Sequence, residues 1–157
     1  MRSQPASGPN SSCFSQHAAP GTLDKNLRFL HSRAMDRSAK IRWQARPDDH
    51  DYPAALSYLI LLYPDQTARR LVAALKKAPV TQFKAKDIFR ASGLSLLGTS
   101  NSHVEKDREK IRAGQLLSPI LLHRDTASGR VIIADGYHRL CAVYSFDEDA
   151  LIPCQIA

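Results

Sequence analysis

Three absences narrow the function classes open to this chain of 157 residues. It contains only three cysteines, Cys13, Cys141 and Cys154, whose spacing matches neither a zinc finger nor a redox pair. No apolar run approaches the ~20 residues that cross a bilayer, and no charged segment followed by an apolar one opens the chain. These absences favour a cytoplasmic protein whose cysteines are packing residues.

Large apolar side chains are scarce at the start of the chain, where residues 1–21 are rich in Ser, Pro, Ala and Gly. Residues 1–47 contain eight basic and two acidic side chains, so this segment carries almost all of the net charge of +7. Such a composition cannot bury enough apolar surface to offset chain entropy. We therefore predict a disordered basic tail over residues 1–47.

Residues 48–78 are predicted to form a helical extension of two helices. Asp51 or Tyr52 before Pro53 suits a helix start, Pro64 ends the first helix, and Asp65 is expected to cap the second. In the second helix an apolar stripe recurs at helical spacing, on Ala68, Leu71, Val72 and Leu75. The pair should pack on a sheet as an extra layer, and the short Pro-Asp connection argues against a DNA-binding helix-turn-helix.

Residues 79–157 are predicted to fold as one small α/β domain with a mixed sheet. The helix that precedes the central strands has Ser102 as its expected N-cap, with Glu105 completing a capping box, and stops at Gly114. The predicted elements are, in chain order, a strand at 80–83, one helical turn within 85–98, a helix at 102–114, paired strands at 118–123 and 131–134, a helix that opens at 138–139 and a strand at 152–156.

The segment from Asp135 to Arg139, called the box below, is the most informative motif. Gly136 breaks a buried strand and precedes a helix, which leaves the first backbone amides of that helix unpaired at the positive end of its dipole. Such a terminus attracts phosphate, and the guanidinium of Arg139 can add a bidentate contact. Arg139 is thus expected to act in binding more than in folding. The alternative is a structural turn, with Asp135 as helix cap.

The order of these pieces resembles the ParB/sulfiredoxin superfamily over about residues 80–157. Members of that superfamily share a helix ending in Gly, a Pro-Ile strand start, two strands, a Gly-x-His-Arg or Gly-x-Arg-Arg box opening a helix, and a terminal Ile-Pro strand. The matching pieces here are Ile111 with Gly114, Pro119 with Ile120, the box Asp135–Arg139, Ala142, and Ile152 with Pro153.

The resemblance implies a site for a nucleoside triphosphate, ATP or CTP. Phosphate contacts would come from the box residues Asp135, Gly136, Tyr137, His138 and Arg139. His138 would orient or protonate an oxygen, and Glu105 is a candidate general base for hydrolysis or phosphoryl transfer. Mg²⁺ would enter with the nucleotide, held by its phosphates and one carboxylate.

Glu105, Asp107 and Asp135 are the candidates for that carboxylate. His103, His123 and His138 lack the spacing of a protein-bound zinc site. Tyr137 stands where sulfiredoxin requires its cysteine, so sulfiredoxin activity is not expected. The chain ends some eighteen residues after Arg139, without the helix-turn-helix of a partition protein.

An alternative function from another class rests on residues 69–112, which hold eleven basic and four acidic side chains. This segment would serve a DNA-associated partition-type accessory or a ParB-like nuclease, which binds duplex DNA or a partner protein. Without a reading helix, DNA binding would be weak and non-specific. The same charges are equally typical of solvated helix faces.

Overall fold

The computed structural model describes residues 40–157, which form a mixed α/β fold of five helices and six strands. The prediction of an α/β class is confirmed. The elements are β1 Arg42–Trp43, α1 Asp51–Leu59, α2 Asp65–Lys77, β2 Val80–Lys84, α3 Ala85–Ser92, α4 Ser102–Arg112, β3 Leu116–Leu117, β4 Ile120–Asp125, β5 Arg130–Asp135, α5 Tyr137–Phe146 and β6 Leu151–Ile156.

Four strands form the main sheet in the order β2-β6-β4-β5. β4 and β5 are antiparallel, with Leu122 opposite Ile133, as expected for strands joined by a short polar connection. β6 lies parallel to β4 and antiparallel to β2. β5 is therefore at one edge of the sheet, and no described strand pairs with its outer side.

Helices cover both faces of this sheet. Successive strand residues point to opposite faces, so each face presents apolar side chains that pack against helices. Ile120 and Leu122 pack in one core with α3, α4 and α5, whereas Leu121 and Ala134 pack in a second core with α1 and α2. The apolar stripe of α2 is buried in that second core as predicted. The helical extension is thus an additional layer on the sheet, which confirms that expectation.

The boundary of the predicted tail is wrong at its C-terminal end. Arg42 and Trp43 form β1, which pairs in parallel with β3, and the amide of Gln44 donates to the carbonyl of Leu117 at 2.8 Å. Trp43 also packs against the larger core. The folded part therefore begins before residue 47, while the expectation for residues 1–39 lies outside the described residues.

Two predicted caps are corrected by the structure. Asn101, not Ser102, caps α4, and its side-chain oxygen accepts from the amides of His103 at 3.0 Å and Val104 at 3.3 Å. α2 has Pro64 at its cap position, so Asp65 is its first residue. In the segment 85–98, α3 is eight residues long rather than one turn, and Gly93 is its C-cap.

Among the helices of residues 40–157, none combines the length and the apolar character that a membrane span requires.

Candidate functional site

The turn between β5 and α5 depends on a glycine. Gly136 has φ +96°, in the left-handed region that side chains rarely adopt, and it stands at the N-cap of α5. A Cβ at this position would lie 3.0 Å from Cγ1 of Ile120 and 3.0 Å from Nη2 of Arg139. Gly136 thus permits both the turn and the close approach of Arg139. Asp135 does not cap the helix, contrary to the structural-turn alternative.

A cleft of about 560 Å³ opens beside this turn. Its lining comes from α1, from α4, from the segment that follows α3, from the end of β5 and from the box. The polar lining residues are His50, Asp51, Asp107, Lys110, Asp135, Gly136, His138 and Arg139, and the apolar or aromatic ones are Ala54, Tyr58, Leu94, Ile133, Ala134 and Tyr137. Of the predicted site residues, the structure brings all five of the box into this cleft.

Arg139 is held between two carboxylates of the cleft lining, those of Asp51 and Asp135. Its Nη1 lies 3.3 Å from Oδ1 of Asp51, and its Nη2 donates to Asp135. Asp51 is only 2% exposed and also accepts from the Ser118 hydroxyl and, at 3.1 Å, from the amide of Asp48. The guanidinium is therefore anchored by α1, 88 residues before it in the chain.

The two carboxylates share one guanidinium, and this shapes the titration of Asp135. Burial raises the pKa of Asp135 to about 6; Arg139 opposes this shift, and the negative charge of Asp51 adds to it. A carboxyl with this pKa changes its protonation state near pH 6, so the charge of this part of the cleft depends on pH in that range.

His138 lies near a second charged pair from α4. Its ring centroid is 5.0 Å from that of His103, and Nζ of Lys110 lies 2.8 Å from the Asp107 carboxylate in the same cleft. Burial lowers the pKa of His138, His103 lowers it further, and Asp107 has the opposite effect. His138 is therefore neutral at pH 7, able to donate from one ring nitrogen and accept at the other.

The remaining box residue, Tyr137, donates its hydroxyl to the backbone carbonyl of Ser95 and so links α5 to the segment after α3. One turn further on, Cys141 is fully buried, and burial raises the pKa of its thiol. A protonated, inaccessible thiol is a poor nucleophile. Neither residue supplies the cysteine chemistry of sulfiredoxin.

Glu105 is not brought to the cleft. Its carboxylate pairs with Arg108 at 3.1 Å and with Arg112 at 2.6 Å along α4, and it does not line the cavity. Asp107 does line it. Two residues along a helix are separated by about 200°, so Glu105 and Asp107 lie on different sides of α4. The predicted role of Glu105 as general base at this cleft is therefore corrected.

The basic side chains of residues 69–112 lie on several separate elements. Arg69 pairs with Asp65 on α2, Lys84 and Lys86 pair with Asp149, and Arg90 pairs with Asp87. Arg108, Lys110 and Arg112 on α4 pair with Glu105 or Asp107. Seven of the eleven basic side chains thus have an acidic partner, and these seven share five carboxylates.

Sequence reasoning missed Asp51, Lys110 and Tyr58 as lining residues because each comes from an element distant in sequence from the box. Within the described part of the chain, no group of three or more His, Cys, Asp or Glu side chains is arranged to hold a metal ion. No protein-family model, no curated protein and no solved structure matches this chain. The geometry of the cleft is therefore the basis of the functional argument.

Proposed function

We propose that the cleft binds a nucleoside triphosphate, ATP or CTP, with its phosphates at the N-terminus of α5. The carrying observation is that Gly136 turns the chain with φ +96°, so that α5 starts inside a cleft of about 560 Å³. The first amides of a helix have no carbonyl partner within the helix, and they face the positive end of its dipole. A phosphate group accepts hydrogen bonds from these amides and places its negative charge at the positive end of the dipole.

The buried Nε of Arg139 supports the same proposal. It has no hydrogen-bond partner among the described residues, and it lies 3.2 Å from the position that a Cβ of residue 136 would occupy, beside the start of α5. A phosphate bound at the start of α5 would supply an acceptor for this Nε–H together with the amides that open the helix. Lys110 would contribute a second positive charge from α4.

Mg²⁺ fits this cleft as a companion of the nucleotide rather than as a resident ion. The acidic side chains nearest the box are already paired, Asp51 and Asp135 with Arg139 and Asp107 with Lys110. Mg²⁺ prefers phosphate oxygens and water with one or two carboxylates. Asp107 and Asp135, which both line the cleft, are the expected carboxylates that would hold it with the phosphates, and the ion would neutralise charge on the phosphates.

Hydrolysis and phosphoryl transfer are the reactions that this arrangement would support. Lys110, Arg139 and the α5 amides would stabilise negative charge on the phosphates, and neutral His138 would donate a hydrogen bond or a proton to a departing oxygen. If His138 handles a proton, His138→Gln lowers turnover more than binding. Phosphate release and calorimetric affinity, measured on the same variant, separate these roles.

The test is calorimetric titration of ATP, CTP and GTP with Mg²⁺, and of the matching nucleosides, into the purified chain. We expect a triphosphate to bind and its nucleoside to bind far more weakly. Lys110→Ala should weaken triphosphate binding by about one to two decades, since a charge-assisted contact contributes about 1.5–3 kcal/mol. Lys84→Ala, which removes a cation paired with Asp149 outside the cleft, is the control and should change nothing.

The DNA-associated accessory or nuclease remains the alternative, and residues 69–112 are its proposed surface. The local pairing of these charges gives it less support than the cleft gives to nucleotide binding. Any duplex binding should be weak and fall steeply with salt. A gel shift at two salt concentrations tests this, and sequence-specific binding that survives ~200 mM salt would favour the alternative.

A further inference from the structure

The cleft is lined by apolar as well as polar side chains. Tyr58 and Leu94 line it and remain 40% and 43% exposed, while Ile133 and Ala134, also lining it, are nearly fully buried. Exposed apolar side chains that line a cavity are typical of a ligand site rather than of a core. Because these apolar side chains line the same cleft as the box, the cleft suits a ligand with an apolar, flat part.

α1 and its N-cap contribute both polar and apolar residues to the cleft lining. His50, Ala54 and Tyr58 recur every four residues and line the cleft along one side of this helix. Asp51, beside His50, contacts Arg139 directly at 3.3 Å. Seven residues at 1.5 Å each separate Asp51 from Tyr58, so Tyr58 lies about 10 Å along the helix from the box. This span suits a ribose with its phosphates.

Part of the apolar lining comes from the strand at the edge of the sheet. Ile133 and Ala134 belong to β5, and no described strand pairs with its outer side. An edge strand presents backbone N–H and C=O groups that are not used in the ladder. A heterocyclic base can hydrogen-bond to such groups while its faces contact apolar side chains.

Resting on the proposed function, we propose that the base of the nucleotide binds between Tyr58 and Leu94, over the outer edge of β5. The ring of Tyr58 supplies a stacking surface, which tolerates any base, and the β5 backbone supplies the polar contacts. Because α1 lies outside residues 80–157, the helical extension supplies one side of this base subsite. The extension is then a ligand-binding element as well as a covering layer.

The experiment compares nucleotides with inorganic tripolyphosphate, which has the phosphates but no base. Both are titrated with Mg²⁺ into wild type, Tyr58→Ala and Tyr58→Phe. Wild type should bind ATP or CTP at least about tenfold more tightly than tripolyphosphate. Tyr58→Ala should remove about that factor for nucleotides and leave tripolyphosphate unchanged, whereas Tyr58→Phe, which keeps the ring, should bind like wild type.

Leu61→Ala is the matched control, since Leu61 follows α1, is 77% exposed and does not line the cleft. It should bind every ligand like wild type. Equal wild-type affinity for nucleotides and tripolyphosphate would overturn the base subsite and leave the phosphate site standing, and so would a Tyr58→Ala variant that loses both ligands equally. Absence of binding by both ligands at millimolar concentration would overturn the proposed function together with the subsite.

Discussion

Nη1 of Arg139 lies 3.3 Å from Oδ1 of Asp51, and the two side chains are only 13% and 4% exposed. This contact joins the helical extension to the box that opens α5. It also means that Arg139 has a structural role, because its removal would leave Asp51 and Asp135 as adjacent carboxylates with little access to water. Binding alone, as expected from the sequence, does not describe this residue.

Arg139→Ala should therefore destabilise the fold strongly. Removal of one partner from a buried ion pair typically costs about 3–5 kcal/mol. Chemical denaturation measures the change in the free energy of unfolding. Arg69→Ala is the matched control, because it breaks an exposed pair with Asp65 and should change the free energy of unfolding far less. If the two substitutions lowered the free energy of unfolding equally, the buried ion pairs of Arg139 would add no more stability than an exposed pair.

The shared guanidinium also predicts a pH dependence. The pKa of Asp135 rises from 3.8 to about 6 in the folded protein, so the folded state binds more protons than the unfolded state between these values. Stability contributed by this group is thus present below pH 4 and lost as the pH rises towards 6, at up to about 1.4 kcal/mol per pH unit.

Unfolding curves of wild type and Asp135→Asn between pH 4 and pH 6.5 measure this contribution. The stability of wild type relative to the variant should fall across the range. Asp149→Asn is the control, since Lys86 and Lys84 lower the pKa of Asp149, and its difference from wild type should stay constant in this window. If the stability of wild type relative to Asp135→Asn stayed flat or rose across this range, the raised pKa of Asp135 would be contradicted.

Gly136→Ala should destabilise the protein more than the same substitution at a glycine of positive φ whose Cβ position is open. The left-handed conformation costs a side chain about 1–2 kcal/mol, and contacts of 3.0 Å with Ile120 and Arg139 add to that cost. Gly129→Ala shares the positive φ, but nothing lies within 4 Å of its Cβ position. The difference between the two melting temperatures reports the crowding at the box, and similar values would refute it.

Truncation tests the boundary of the folded part. Deletion of residues 1–47 removes β1 and the packing of Trp43 against the core, so it should lower the melting temperature by several degrees. Deletion of residues 1–39 keeps these contacts and should leave the melting temperature nearly unchanged. Equal melting temperatures for the two truncated chains would show that β1 contributes no stability.

Local signals in the sequence were sufficient to predict much of the fold. β4, β5 and β6 contain short apolar runs bounded by turn residues, and the Asp135-Gly136 turn has a strong glycine signal. β1 has only two residues, too few for any periodicity to be detected. Its pairing with β3 depends on contacts between distant parts of the chain.

The candidate site was predictable only in part for the same reason. The box is contiguous, so its residues could be identified together, whereas Asp51 meets Arg139 across 88 residues. Nothing local marks that contact. Glu105, the expected general base, does not line the cleft, whereas Asp107 does, and composition alone does not say which side of α4 faces the cleft.

The central claim is that phosphates bind at the start of α5, and amide chemical shifts measure this most directly. ATP and CTP with Mg²⁺ should be titrated into ¹⁵N-labelled protein and followed by two-dimensional NMR. We predict saturable shifts that are largest for the amides of Gly136, Tyr137 and His138. Absence of saturable shifts at millimolar nucleotide, or shifts confined to residues away from the cleft such as the exposed side of α2, would contradict the account.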